Sequence, residues 1–76
     1  MMTRSLTIPP DLAEAITDVV NELASELDLH YEDTDLAACA PTISKMDRLV
    51  TLLLTAGYSQ PEVFQHILSR YNKILN

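Results

Sequence analysis

The sequence predicts an all-α fold: a compact bundle of three main helices, with one short helical turn and a short N-terminal arm. Three observations predict it. One glycine and four prolines in 76 residues leave little of the chain committed to turns. Apolar residues recur with the helical period, not the strand period, over three long segments. The prolines and small polar residues gather at the ends of those segments, where helices start and stop. A chain of this length buries only about 60% of the surface its unfolded form exposes. With 47% hydrophobic residues it can still close one core, so a single helical domain over residues 1–76 is expected.

Residues 1–9 form the arm, extended over Ser5–Ile8 because residues before proline avoid helical backbone angles. The first helix is expected over about 10–28, ending around Asp28–His30, with Pro10 tolerated in its first turn and Asp11 favourable at the positive end of the helix dipole. Its apolar residues Leu12, Ile16, Val19, Val20, Leu23 and Leu27 fall in an arc of roughly 100°. A short helical turn over 35–40, DLAACA, is capped by Thr34 and stopped by Pro41.

The next helix is expected over about 44–56. Ser44 and Asp47 have the form of a capping box, and Gly57 suits the left-handed residue that ends a helix. Met46, Leu49, Val50, Leu52, Leu53, Leu54 and Ala56 spread over roughly 200° of it, which implies a central helix. The last helix, about 60–75, follows the capping-box sequence Ser59-Gln60-Pro61-Glu62. Val63, Phe64, Ile67, Leu68, Tyr71, Ile74 and Leu75 make its apolar stripe. Glu62, His66, Arg70 and Lys73 are expected on the solvated side.

The charge distribution is lopsided. The net charge is −6, yet residues 45–76 carry Lys45, Arg48, Arg70 and Lys73 against only Asp47 and Glu62. The negative charge sits in DLAEAITDVVNELASELDLHYEDTD, residues 11–35, with nine carboxylates and no Lys or Arg. Glu14, Asp18, Glu22 and Glu26 repeat at i, i+4, where each like-charge pair costs a few tenths of a kcal/mol. Selection for stability alone tends to interleave lysines on such a face. A solvated surface explains the stripe as readily as a functional one. The functional reading is a binding face for a basic surface of another protein, made of Asp11, Glu14, Asp18, Glu22, Glu26, Asp28, Glu32, Asp33 and Asp35. Carboxylates along a rigid helix also resemble the phosphate run of a nucleic acid, so nucleic-acid mimicry is the sharper version.

The same charge argues against free nucleic acid and anionic membrane as partners. No stretch approaches the ~18 apolar residues of a membrane span, and MMTRSLTIPP has no apolar leader core. One cysteine cannot form an intramolecular disulfide, which points to a reducing compartment, the cytoplasm.

Catalytic and metal chemistry find no motif. His30, Glu32, Asp33, Asp35 and Cys39 match no zinc spacing, and Leu36-Ala37-Ala38 stands where a calcium loop needs a third acid and a glycine. No serine lies in a nucleophile-elbow context, and Cys39 is expected to be a small buried filler. No cofactor and no metal are expected, and the chain is not expected to be an enzyme.

Two stretches carry family resemblances. LLLTAGYSQPEVFQHIL, residues 52–68, resembles a helix-turn-helix, which implies that Gln60, Glu62, Gln65, His66 and Arg70 face a major groove. A plain helical hairpin with glycine in its turn has the same pattern, and Glu62 opposes phosphate. RSLTIPPDLAEAI resembles the strand-to-helix start of ribbon-helix-helix repressors, but covers barely a sixth of the chain. Small acidic helical chains also resemble acyl carrier proteins; the Asp-Ser-Leu attachment site of that family is missing here.

The reading that follows is a non-enzymatic acidic interaction module, a small inhibitor occupying a basic surface of its partner. Anti-restriction, anti-CRISPR and nuclease immunity proteins, some of them acting in phage defence, are its physical analogues. The alternative is a small dimeric helix-turn-helix-like DNA-binding regulator built on residues 44–75. A homodimer is expected on separate grounds, because the apolar arcs exceed what one small bundle can cover.

Overall fold

The computed structural model describes residues 7–75, and all four helices of the chain as described lie within it. Residues 1–6 of the expected arm lie outside the described residues. Helix α1 spans Pro10–His30, α2 Asp33–Ala37, α3 Ala40–Thr55 and α4 Glu62–Leu75. No strand occurs among the described residues. The all-α bundle read from the sequence is the observed architecture.

Helix α1 begins where Pro10 permits, with the Ala13 N–H donating to the Pro9 carbonyl at 3.0 Å. It runs to His30, at the far edge of its expected end around Asp28–His30, until Tyr31 turns extended at φ −118° and ψ 129°. Helix α2 starts earlier than expected, at Asp33, after an extended Glu32. Thr34 therefore lies inside it and is not its cap. Pro41 does not stop a helix. It stands in the first turn of α3, which starts at Ala40, four residues before Ser44. Proline lacks only an N–H that the first turn leaves unbonded in any case, so it starts a helix as well as it ends one. Ser44 is consequently an interior residue, and no side-chain cap forms at this end.

The α3–α4 connection follows its sequence closely. Gly57 has φ +94°, its N–H donates to Leu54, and the Tyr58 N–H donates to Leu53 at 2.9 Å. That pair of bonds is the Schellman ending of a helix. Helix α4 then starts at Glu62, with Gln65 N–H donating to the Pro61 carbonyl.

Val20, Ala24 and Leu27 of α1, Leu36 of α2, Ile43, Met46 and Val50 of α3, and Phe64 and Ile67 of α4 form one contiguous core. Among the described residues no buried side-chain polar atom lacks a partner. Helix α1 packs most extensively on α4 and also on α3, while α2 packs on α4. Helix α3 is therefore not the central helix that its wide apolar arc implied; α1 and α4 each pack on two others. Two small residues, Ala13 and Ala24, are buried on the inner face of α1. The helix is rotated accordingly, so Leu12, Val19 and Leu23 remain exposed. On α3, Leu53 is buried whereas Leu52 and Leu54 are exposed.

Candidate partner-binding face

The outer face of α1 presents Asp11, Glu14, Asp18, Glu22 and Glu26, all exposed. One helix holds them because its opposite arc is buried, and the rotation that buries Ala13, Val20, Ala24 and Leu27 turns the acids outward. At 1.5 Å per residue the row covers about 22 Å. Asp11, Glu14, Asp18 and Glu22 have no ion-pair partner among the described residues. Glu26 has only the His30 imidazole, at 3.9 Å and largely exposed.

The remaining acids of residues 11–35 separate into two groups. Glu32 and Asp35 are exposed around α2. Asp28 and Asp33 are bound to Arg70. The Arg70 Nη1 donates to Asp28 Oδ1 at 3.0 Å, Nε donates to Asp33 Oδ1 at 3.0 Å, and Nη2 donates to the Tyr31 carbonyl at 2.7 Å. His66 Nε2 approaches the same Asp28 oxygen at 3.4 Å. Arg70 was expected on a solvated face, yet its side chain is only 24% exposed. The hydrogen bond to Asp33 raises its pKa above the ordinary arginine value, aided by Asp28 and opposed by partial desolvation. Its planar fork suits two carboxylates and a carbonyl at once, and it places a cation at the negative end of the α1 dipole. The guanidinium thus fastens the end of α1, the α1–α2 link and α4 together.

At the other end of α1 an open groove of about 480 Å³ runs between Pro10, Ala13, Glu14, Thr17, Asp18 and Asn21 and the segment Tyr58–Glu62. Two bonds shape it. The Asn21 Oδ1 accepts the Val63 N–H at 3.0 Å, and the Tyr58 hydroxyl donates to the Ile8 carbonyl at 2.7 Å. Asn21 thereby satisfies an N–H in the first turn of α4, at the end where Ser59 was expected to supply the cap; α4 starts at Glu62, three residues after Ser59. Glu14 and Asp18 stand on one wall and Glu62 on the other, so the groove continues the acidic face.

Asn21, Tyr58 and Arg70 were not singled out for these roles from sequence. The available signals were weak: Asn21 borders Val20 and Ala24, and Arg70 is adjacent to Tyr71 in the apolar stripe of α4. Cys39 is half-buried rather than fully buried; its thiol is free and lies 3.4 Å from the Asp35 carbonyl. The described residues contain no group of three or more His, Cys, Asp or Glu placed to hold a metal ion. No described helix is long and apolar enough to cross a membrane. No family model matches the chain, and neither a curated protein nor a solved structure matches it.

Proposed function

We propose that this chain is a non-enzymatic interaction module whose acidic α1 face occupies a basic surface of another macromolecule, as a small inhibitor does. One observation carries the reading: Asp28 and Asp33 are bound to Arg70, whereas Asp11, Glu14, Asp18 and Glu22 are exposed and unpaired among the described residues. The acids that fasten helices together are neutralised, and those that make no ion pair among the described residues point outward in a row. Holding them together costs stability through i, i+4 repulsion, and a cationic partner reverses that cost. The charges arrive pre-ordered on a helix, so binding them does not require ordering a flexible segment. A basic side chain of the partner, inserted between Glu14, Asp18 and Glu62, fits the groove chemistry.

The sharper form is mimicry of a nucleic-acid backbone, with the face blocking a basic nucleic-acid-binding groove. Action in the cytoplasm is part of the proposal, supported by the free thiol of Cys39. Direct duplex reading by the α3–α4 hairpin has less support. Arg70, which would face the groove from the second helix of that hairpin, is held by two aspartates, and Glu62 is exposed at the helix start.

The test is a pull-down with the native chain and with a variant carrying Glu14→Gln, Asp18→Asn and Glu22→Gln, read by mass spectrometry. A basic protein captured by the first and lost by the second is the expected result. Equal capture by both overturns the proposal. Salt-sensitive binding of the native chain to duplex DNA favours the regulator instead.

A further inference from the structure

Helix α1 carries a second feature beside its acids, three exposed apolar residues around a half-buried Ile16 that packs against the core. Leu12, Ile16, Val19 and Leu23 follow one another at spacings of four, three and four residues, the repeat of a helix–helix seam. Leu12 is 51% and Val19 53% exposed, and Leu23 is exposed with them. Lys45, Leu49, Leu52 and Ala56 repeat the same spacing on α3, where Leu52 is 45% exposed, Ala56 is half-buried and Leu49 is half-buried against the core. The chain folds α3 back along α1, bringing Tyr58 beside Ile8. Asn21 and Asp28 mark the flank of α1 that faces α4. With the two helices antiparallel and their buried residues turned inward, right-handed helix geometry sets both stripes on the opposite flank of α1, along its seam with α3.

The ends of the stripes carry opposite charges. Glu26 is the next seam position after Leu23, and Lys45 is the first on α3; antiparallel packing brings both to the same end of the bundle. We propose that this face binds a second copy of the chain about a two-fold axis parallel to the helices. Such an axis lays α1 of one protomer on α3 of the other. The apolar stripes then cover one another, and Glu26 of each protomer meets Lys45 of its partner, twice by symmetry. A two-fold axis across the helices would set α1 on α1 and oppose two acidic rows, so charge selects the first arrangement. The Glu14–Asp18 face and its groove stay open in the dimer. Glu26, at the end of the acidic row, is shared between the two surfaces, and the inference does not rest on what the Glu14–Asp18 groove binds.

Sedimentation equilibrium of the full chain is expected to give twice 8.5 kDa at micromolar concentration. Val19→Glu, which changes an exposed residue, is expected to give a monomer with unchanged helicity by circular dichroism. Glu26→Lys alone and Lys45→Glu alone are each expected to weaken the dimer, since each sets like charges opposite one another twice. Mixing these two variants is expected to restore a dimer, because every cross-pair is then of opposite sign. Native chain that remains monomeric overturns the proposal. So does a dimer that survives Val19→Glu, or a mixture that fails to re-associate. A 76-residue chain that is monomeric and dimerises only after removal of residues 1–6 overturns it too, by showing that this segment is the occupant.

Discussion

The side-chain oxygen of Asn21 accepts the backbone N–H of Val63 at 3.0 Å, across 42 residues of sequence. One helix thus caps the start of another, and the bond fixes the wall of the acidic groove opposite Glu14 and Asp18. Removing a helix-capping side chain costs about 0.5–2 kcal/mol. Asn21→Ala is expected to lower stability by that amount. In a domain of this size, each kcal/mol moves the thermal midpoint by about 4–8 °C. Asn21→Asp keeps an acceptor at the positive end of the α4 dipole and is expected to recover most of the loss. Thermal denaturation of the two variants checks both; a midpoint for Asn21→Ala equal to the native one removes the capping role.

A second pair of variants tests how α3 is oriented. Leu53 is fully buried and its neighbour Leu52 is 45% exposed, although the two are alike in sequence. Leu53→Ala is expected to cost about 2–5 kcal/mol through lost burial and the cavity left behind. Leu52→Ala is expected to change stability by no more than about 0.5 kcal/mol. Urea denaturation of each gives the comparison. Equal costs would mean that the apolar arc is buried on both sides.

Gly57 offers a cleaner probe of backbone strain. Its φ is +94°, and a Cβ built there meets nothing within 4 Å, so the substitution carries no clash beyond its own backbone. Left-handed geometry costs an L-residue roughly 1–2 kcal/mol. Gly57→Ala is expected to lose about that much, with the helix content by circular dichroism unchanged. A variant as stable as the native chain would show that the turn relaxes to another conformation at no cost.

Arg70→Met tests the three-way fastening. The methionine keeps part of the apolar stem but leaves Asp28 and Asp33 without their cation and the Tyr31 carbonyl without its donor. The expected signature is local. Amides of the last turn of α1 and of α2 exchange faster, while those of Val20 and Val50 in the core are less affected. Uniform acceleration across the chain would assign Arg70 a general stabilising role and not a local one.

How much of this was legible beforehand depended on the range of each interaction. Helix existence, the Gly57 ending and the solvent-facing acids of α1 follow from residues within one or two turns of each other, so periodicity and turn chemistry reveal them. Pro41 was ambiguous locally, because the same residue ends one helix or begins the next. The rotation of α1 was hidden because alanine adds little to an apolar stripe, yet Ala13 and Ala24 determine which face packs closely. Asn21 with Val63 and Arg70 with Asp28 pair across 42 residues each, beyond any periodic signal. Asp28 and Asp33 read as part of the acidic surface because charge counting does not see the cation that folds onto them.

The acidic row itself yields the remaining prediction. Glu14→Gln, Asp18→Asn and Glu22→Gln together remove like-charge contacts at 14–18, 18–22 and 22–26, none of which touches the core. Stability is expected to stay level or to rise by a few tenths of a kcal/mol per relieved pair. Affinity for a captured basic partner is expected to fall more than about tenfold, which corresponds to losing 1.4 kcal/mol or more. Native binding is expected to weaken as salt rises, since exposed charges are screened over about 8–10 Å at physiological ionic strength. The two readouts must move apart. A face kept only for solubility predicts the stability change without the binding loss, and damage to the fold predicts that both fall. Stability held or raised while binding disappears is the outcome that only a recognition surface produces.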